Sequence, residues 1–187
     1  MHTSTIAAAA FLVAVSVIGG CKEDNKVVGP SAPPAGPPSS TGAGTMIATL
    51  DGLPWVADYA GGSPSAFAYV SGNGLHIRGV AGNVLEKTAD TSVSQVMDIW
   101  IDQEALKNVQ IPGTYSLGKV PLQQGAADYF DGLATNFETD LEHGGSMTLT
   151  YLDTLKRVVS GTFTFEAVGV GGQMHYVTSG TFDVKWN

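Results

Sequence analysis

The strongest constraint on this chain is the alternation near its C-terminal end. In Val158-Val-Ser-Gly-Thr-Phe-Thr-Phe-Glu-Ala-Val168, residues Phe163, Phe165 and Ala167 fall on one side, and Thr162, Thr164 and Glu166 on the other. His175 to Trp186 repeats the pattern, with Phe182, Val184 and Trp186 on the apolar side and Thr181, Asp183 and Lys185 on the polar side. A period of two sends successive side chains to opposite faces, so both segments read as half-buried antiparallel strands. Gly169-Val-Gly-Gly172 supplies the connection. The tetrapeptide Ser-Gly-Thr-Phe occurs at 160–163 and again at 179–182. Two copies are too few for a repeat protein, and two neighbouring strands meeting the same packing problem account for them.

The same period marks strands at Met46–Asp51, Trp55–Tyr59, Ala66–Ser71, Leu75–Val80, Val93–Ile101, Thr114–Leu117 and Met147–Tyr151. In the fifth of these, Val93, Gln95, Met97, Ile99 and Ile101 share one face. Gly72-Asn73-Gly74 sits between two runs as a hairpin turn, since Asn-Gly tolerates positive φ. Gln103–Val109 reads as a short helix or turn. With 24 Gly and 9 Pro spread along the chain, long helices are disfavoured. The expectation is an all-β domain of about nine or ten short strands, an antiparallel β-sandwich, with an open β-barrel as the alternative. Repeated long strands with a lipid-facing apolar band, which a membrane barrel needs, are not seen.

The N-terminal part has a different grammar. Ile6 to Gly20 is an apolar run too short to span a bilayer but long enough for a signal peptide, and it ends Ile18-Gly19-Gly20-Cys21. Small residues before a Cys match a bacterial lipobox, so cleavage is expected between Gly20 and Cys21, with lipidation at Cys21. The charged stretch Lys22-Glu-Asp-Asn-Lys26 offers no core in which to bury a thiol. Lys22 in place of Asp after the Cys points to the outer membrane. Val27 to Gly44 is rich in Pro, Gly and Ser and reads as a tether. The expected organisation is therefore a signal peptide at 1–20, a lipidated Cys and tether at 21–44, and the β domain at 45–187.

Chemistry is harder to read. The net charge of −8 excludes a nucleic-acid binder, which needs clustered Lys and Arg. One cysteine excludes an internal disulfide. His2, His76, His143 and His175 form no HExxH and have no cysteine partners, so no zinc site is expected. His76 and His175 fall in strands and read as satisfied or solvent-facing. Oxygen ligands for Ca²⁺ are the one metal candidate, at Asp128, Asp131, Asp140 and Glu142. Against it, Glu138, Asp140 and Glu142 alternate as a solvated acidic strand or loop would. Trp100 and Tyr151 are the candidates for an aromatic platform. No GxSxG or P-loop occurs, and no catalytic residue is assigned.

Certain segments resemble a family of uncharacterised bacterial lipoproteins known mostly from Bacteroidota-like genomes. They are Met46-Ile-Ala-Thr-Leu-Asp-Gly52 followed by Trp55, Ile111-Pro-Gly-Thr-Tyr115, the run at 145–153 and the paired Ser-Gly-Thr-Phe strands. The resemblance implies a C-terminal all-β domain and no known activity. The expected function is a lipid-anchored, non-enzymatic binding or scaffolding domain at the outer membrane, facing the periplasm or the cell surface. Its partners would be the membrane, through the anchor, and an envelope protein or glycan. It needs no cofactor beyond the covalent lipid. A carbohydrate-binding module serving polysaccharide uptake is the alternative, and an enzyme of unknown type the second.

Overall fold

The computed structural model describes residues 40–59, 64–72, 74–82, 94–119, 123–133 and 135–186. Gly20, Cys21, Lys22 and most of the tether lie outside the described residues, as do Asn73 of the expected hairpin turn and Val93.

The elements are β1 (Thr45–Leu50), β2 (Leu53–Val56), β3 (Ala66–Ser71), β4 (Gly74–Ala81), β5 (Gln95–Asp102), α1 (Gln103–Leu106), β6 (Gly113–Leu117), β7 (Gly125–Phe130), β8 (Asn136–Glu138), β9 (Gly145–Asp153), β10 (Val158–Gly169) and β11 (Met174–Lys185). The fold is all-β and sandwich-like, as the alternation requires. All eleven strands join one sheet in the order β2-β1-β11-β10-β9-β6-β7-β5-β4-β3, with β8 bridging β7 and β10. Every pairing is antiparallel except the short β6–β7 contact at Leu117 and Gly125, which makes the sheet mixed. The sheet folds over on itself until Ala68 of β3 meets Trp186 in an isolated bridge. It is not a closed barrel.

The enclosed core holds Met46, Trp55, Ile77, Met97, Ile99, Ile101, Tyr129, Met147, Phe163 and Phe182, all fully buried. Each such side chain contributes roughly 1.5–3 kcal/mol by leaving water. The tetrapeptide echo has a direct cause in this core. β10 and β11 pair so that Gly161 faces Phe182 and Phe163 faces Gly180. A Cβ on Gly161 would lie 2.7 Å from the Phe182 ring, and one on Gly180 would lie 2.5 Å from the Phe163 ring. Each glycine is the hole for the opposite strand's phenylalanine.

The structure corrects four expectations. Asp183, placed by its phase on a solvated face, is 2% exposed. Its carboxylate accepts the backbone N–H groups of Thr41 (3.1 Å), Gly42 (2.8 Å) and Ala43 (3.3 Å), together with the hydroxyls of Thr41 (2.9 Å) and Ser160 (2.8 Å). Residues 41–44, expected as free tether, therefore belong to the folded domain. Gly42 sits there at φ +67, and a Cβ on it would also strike the Lys185 stem at 2.7 Å. Second, the strand expected to end at Tyr59 ends at Val56. Third, β7 and β8 arise in the acidic segment, bringing the total to eleven strands. Fourth, Glu138 alone of the acidic alternation lies in a strand, because Asp140 instead caps a turn, accepting the Glu142 (2.8 Å) and His143 (2.7 Å) N–H groups.

Asp183→Ala would strand these donors beneath the strap. The expected outcome is a loss of about 3 kcal/mol in urea unfolding and faster proteolytic cleavage near residue 41. A change under about 0.5 kcal/mol would show that the strap contributes nothing to stability.

Candidate functional site

Strand register brings the most chemically loaded surface together on the outer face of β3, β4, β5, β7 and β8. One cross-strand row reads Tyr69, His76, Trp100, Ala126. The next, two residues along each strand, reads Phe67, Arg78, Asp98, Asp128, Glu138. All belong to the polar phase of their strands, because the opposite phase fills the core with Ala68, Ile77, Met97, Ile99 and Ala127.

In the first row the rings stand side by side. Tyr69 and His76 are stacked at 4.6 Å with 13° between planes, and His76 and Trp100 at 5.6 Å with 17°. Strand spacing of about 4.8 Å imposes this arrangement on neighbouring rings that rise from a sheet.

Asp98 ties the two rows together. Its side chain is only 9% exposed although it lies on the outer face. It accepts the Tyr69 hydroxyl (3.1 Å), Arg78 Nε (3.1 Å) and a terminal Arg78 nitrogen, with His76 Nδ1 at 3.4 Å. Arg78 also lies over the Tyr69 ring, 5.4 Å from its centre. Burial, followed by the Asp98 carboxylate, raises the Tyr69 hydroxyl above its ordinary pKa, so it stays a donor. Burial disfavours the Arg78 charge, but Asp98 outweighs it and holds the guanidinium above its ordinary value. His76 is 12% exposed, and its other nitrogen, Nε2, lies 3.0 Å from Ser71 Oγ. Of the two readings for this position, satisfied or solvent-facing, the contacts on both ring nitrogens match the first.

Asp128 is different. No hydrogen-bond donor reaches its carboxylate among the described residues. Glu138 faces it from β8 and Asp98 from β5. Burial, then Glu138, then Asp98 push its pKa up to about 7, with only Arg78 opposing. Like charges opposite one another cost stability, so the sheet carries a local conflict here, as functional sites often do. Arg78, Val96, Asp98, Asp128, Phe130 and Asn136 line a hollow of about 280 Å³ at this point. The hollow thus sets the Asp128 carboxyl beside Val96 and Phe130 on one hand and Arg78, Asp98 and Asn136 on the other.

The other residues singled out in the sequence do not join it. Asp131 accepts the Leu133 (2.7 Å) and Thr135 (3.2 Å) N–H groups. Asp140 is held below the usual carboxylate range by the backbone N–H groups of His143 and Glu142. Glu142 is exposed. Asp128, Asp131, Asp140 and Glu142 thus serve separate local structures, and no three His, Asp or Glu side chains converge as metal ligands among the described residues. Trp100 and Tyr151 do not form a platform. Tyr151 lies on β9, beyond β7 and β6 from Trp100's strand, and donates to Asp153 at 3.1 Å. His175 pairs with Asp51 at 2.5 Å and packs edge-on against Phe137 and Tyr129.

Sequence reasoning missed Tyr69, Ser71, Arg78 and Asp98 as site residues. The available signal was that all four, with His76 and Trp100, sit in the outward phase of neighbouring hairpin strands.

No protein-family model, no curated protein and no solved structure matches this chain.

The raised Asp128 carboxyl makes a signed prediction. The folded state holds a proton between about pH 4 and pH 7 that the unfolded chain has lost, so stability falls as pH rises through that window. Asp128→Asn should be more stable than the parent at pH 8 by about 1 kcal/mol after discounting for solvent screening, and nearly equal to it at pH 4. Parallel stability curves from pH 4 to 8 would refute the assignment.

Proposed function

We propose that this chain is an exported lipoprotein, anchored through Cys21 at the outer membrane, whose β domain binds an envelope partner through the β3–β4–β5–β7 face. The observation that carries this is the apolar leader ending at Gly19-Gly20-Cys21, joined by a Pro-rich stretch to a domain in which residues 41–43 are held by Asp183. Each buried CH₂ of a lipid contributes about 0.8 kcal/mol, so two or three chains on one cysteine hold a protein at a membrane for long times. A strap pinned by several hydrogen bonds suits a domain that hangs from such an anchor.

The face offers a partly exposed Trp100, an ion pair between half-exposed Arg78 and buried Asp98, and the Asp128 carboxylate, which no described donor reaches. These favour polar and charged recognition. They do not favour a sugar ring laid on an aromatic surface, since Tyr69, His76 and Trp100 spend ring faces on each other. An envelope protein is therefore the preferred partner over a neutral glycan. The resemblance to Bacteroidota-like lipoproteins supports this location.

Cys21→Ala should abolish palmitate labelling and release the protein from the membrane fraction. Labelling that persists in the variant would refute the anchor.

A further inference from the structure

We infer that Ser71, His76 and Asp98 form a hydrolytic triad acting on acyl esters. Nothing in the sequence pointed to an enzyme. The three residues come from β3, β4 and β5, and only the pairing of those strands brings them together.

The geometry follows the roles such a triad requires. Ser71 Oγ lies 3.0 Å from His76 Nε2, and His76 Nδ1 lies 3.4 Å from Asp98 Oδ1. Resting triads often show such a long second contact, which tightens when substrate binds. An ionised carboxylate can only accept, so Asp98 requires the proton on Nδ1 and leaves Nε2 as the acceptor for the Ser71 hydroxyl. Tyr69 and Trp100 hold the imidazole ring between them and oppose its rotation. Asp98 is itself fixed by Tyr69 and Arg78. Nucleophile, base and orienting acid are thus each positioned by a further contact.

Ser71 is half-buried at the end of β3, next to exposed Gly72. A Cβ on Gly72 would meet no described atom within 4 Å. The N–H of the residue after a nucleophile is a common oxyanion donor, and Gly72 occupies that position.

The step balances without a further reagent. Ser71 Oγ bonds to the ester carbonyl carbon as His76 Nε2 takes its proton. The carbon–oxygen bond to the leaving alcohol breaks, and His76 returns the proton to that alcohol. Water then adds to the acyl carbon as His76 Nε2 takes a proton from it, the bond to Ser71 Oγ breaks as His76 returns that proton to Oγ, and a carboxylic acid leaves.

The test uses the full chain in detergent, with a fluorophosphonate probe and p-nitrophenyl acetate. The expected result is one phosphonyl adduct, mapped to Ser71 by peptide mass spectrometry. Ester turnover should fall at least ~100-fold in Ser71→Ala and at least ~10-fold in His76→Gln, since losing a member of a working triad costs more than this. Both variants are to be compared at unchanged circular dichroism. If His76→Gln unfolds, the adduct and the Ser71→Ala turnover still decide. No adduct at Ser71, or turnover in Ser71→Ala equal to the parent, overturns the inference. Neither outcome bears on the lipid at Cys21.

Discussion

The pairing of β10 with β11 is the constraint on which the rest of this structure depends. It is a mutual interlock, in which Gly161 receives Phe182 and Gly180 receives Phe163. A slip of one residue would turn the apolar phase of one strand outward and would take each glycine out from opposite its ring. With that register fixed, β1 adds to β11, and β9 adds to β10, each with its apolar phase already directed inward. The remaining strands extend the sheet from β9 through β6, β7 and β5 to β4 and β3.

Two aspartates on the outer surface of this sheet are buried, by different means. Asp183 is covered by backbone, the strap of residues 41–43, and its charge is met by N–H groups and hydroxyls. Asp98 is covered by side chains and its charge is met by Arg78 and the Tyr69 hydroxyl. A buried carboxylate is tolerated only when its lone pairs are filled. Asp128 lacks such donors and answers instead by holding its proton toward neutrality.

Much of the architecture was legible in local pattern. Phe163, Phe165, Phe182, Val184, Met97, Ile99 and Ile101 all point inward as their phase requires. Ala66–Ser71 matched its strand to the residue. β8 is only three residues long and β7 is Ala-rich, so neither carries the apolar alternation that announces a strand. Asp183 had the phase of a solvated residue, and only a segment some 140 positions earlier in the chain reverses that. Trp100 and Tyr151 looked alike as half-exposed aromatics, but sheet order separates them.

The alternation of side chains is a property of a single extended backbone, set by its own sterics. For that reason the sequence by itself determined the all-β class, the inward set and the lipobox-like junction at Cys21. Which strands become neighbours depends on how distant segments close against one another, and no local rule encodes it. The tertiary structure alone therefore decided that Ser71, His76 and Asp98 would meet, that Asp128 would face two other carboxylates, and that residues 41–43 would cover Asp183.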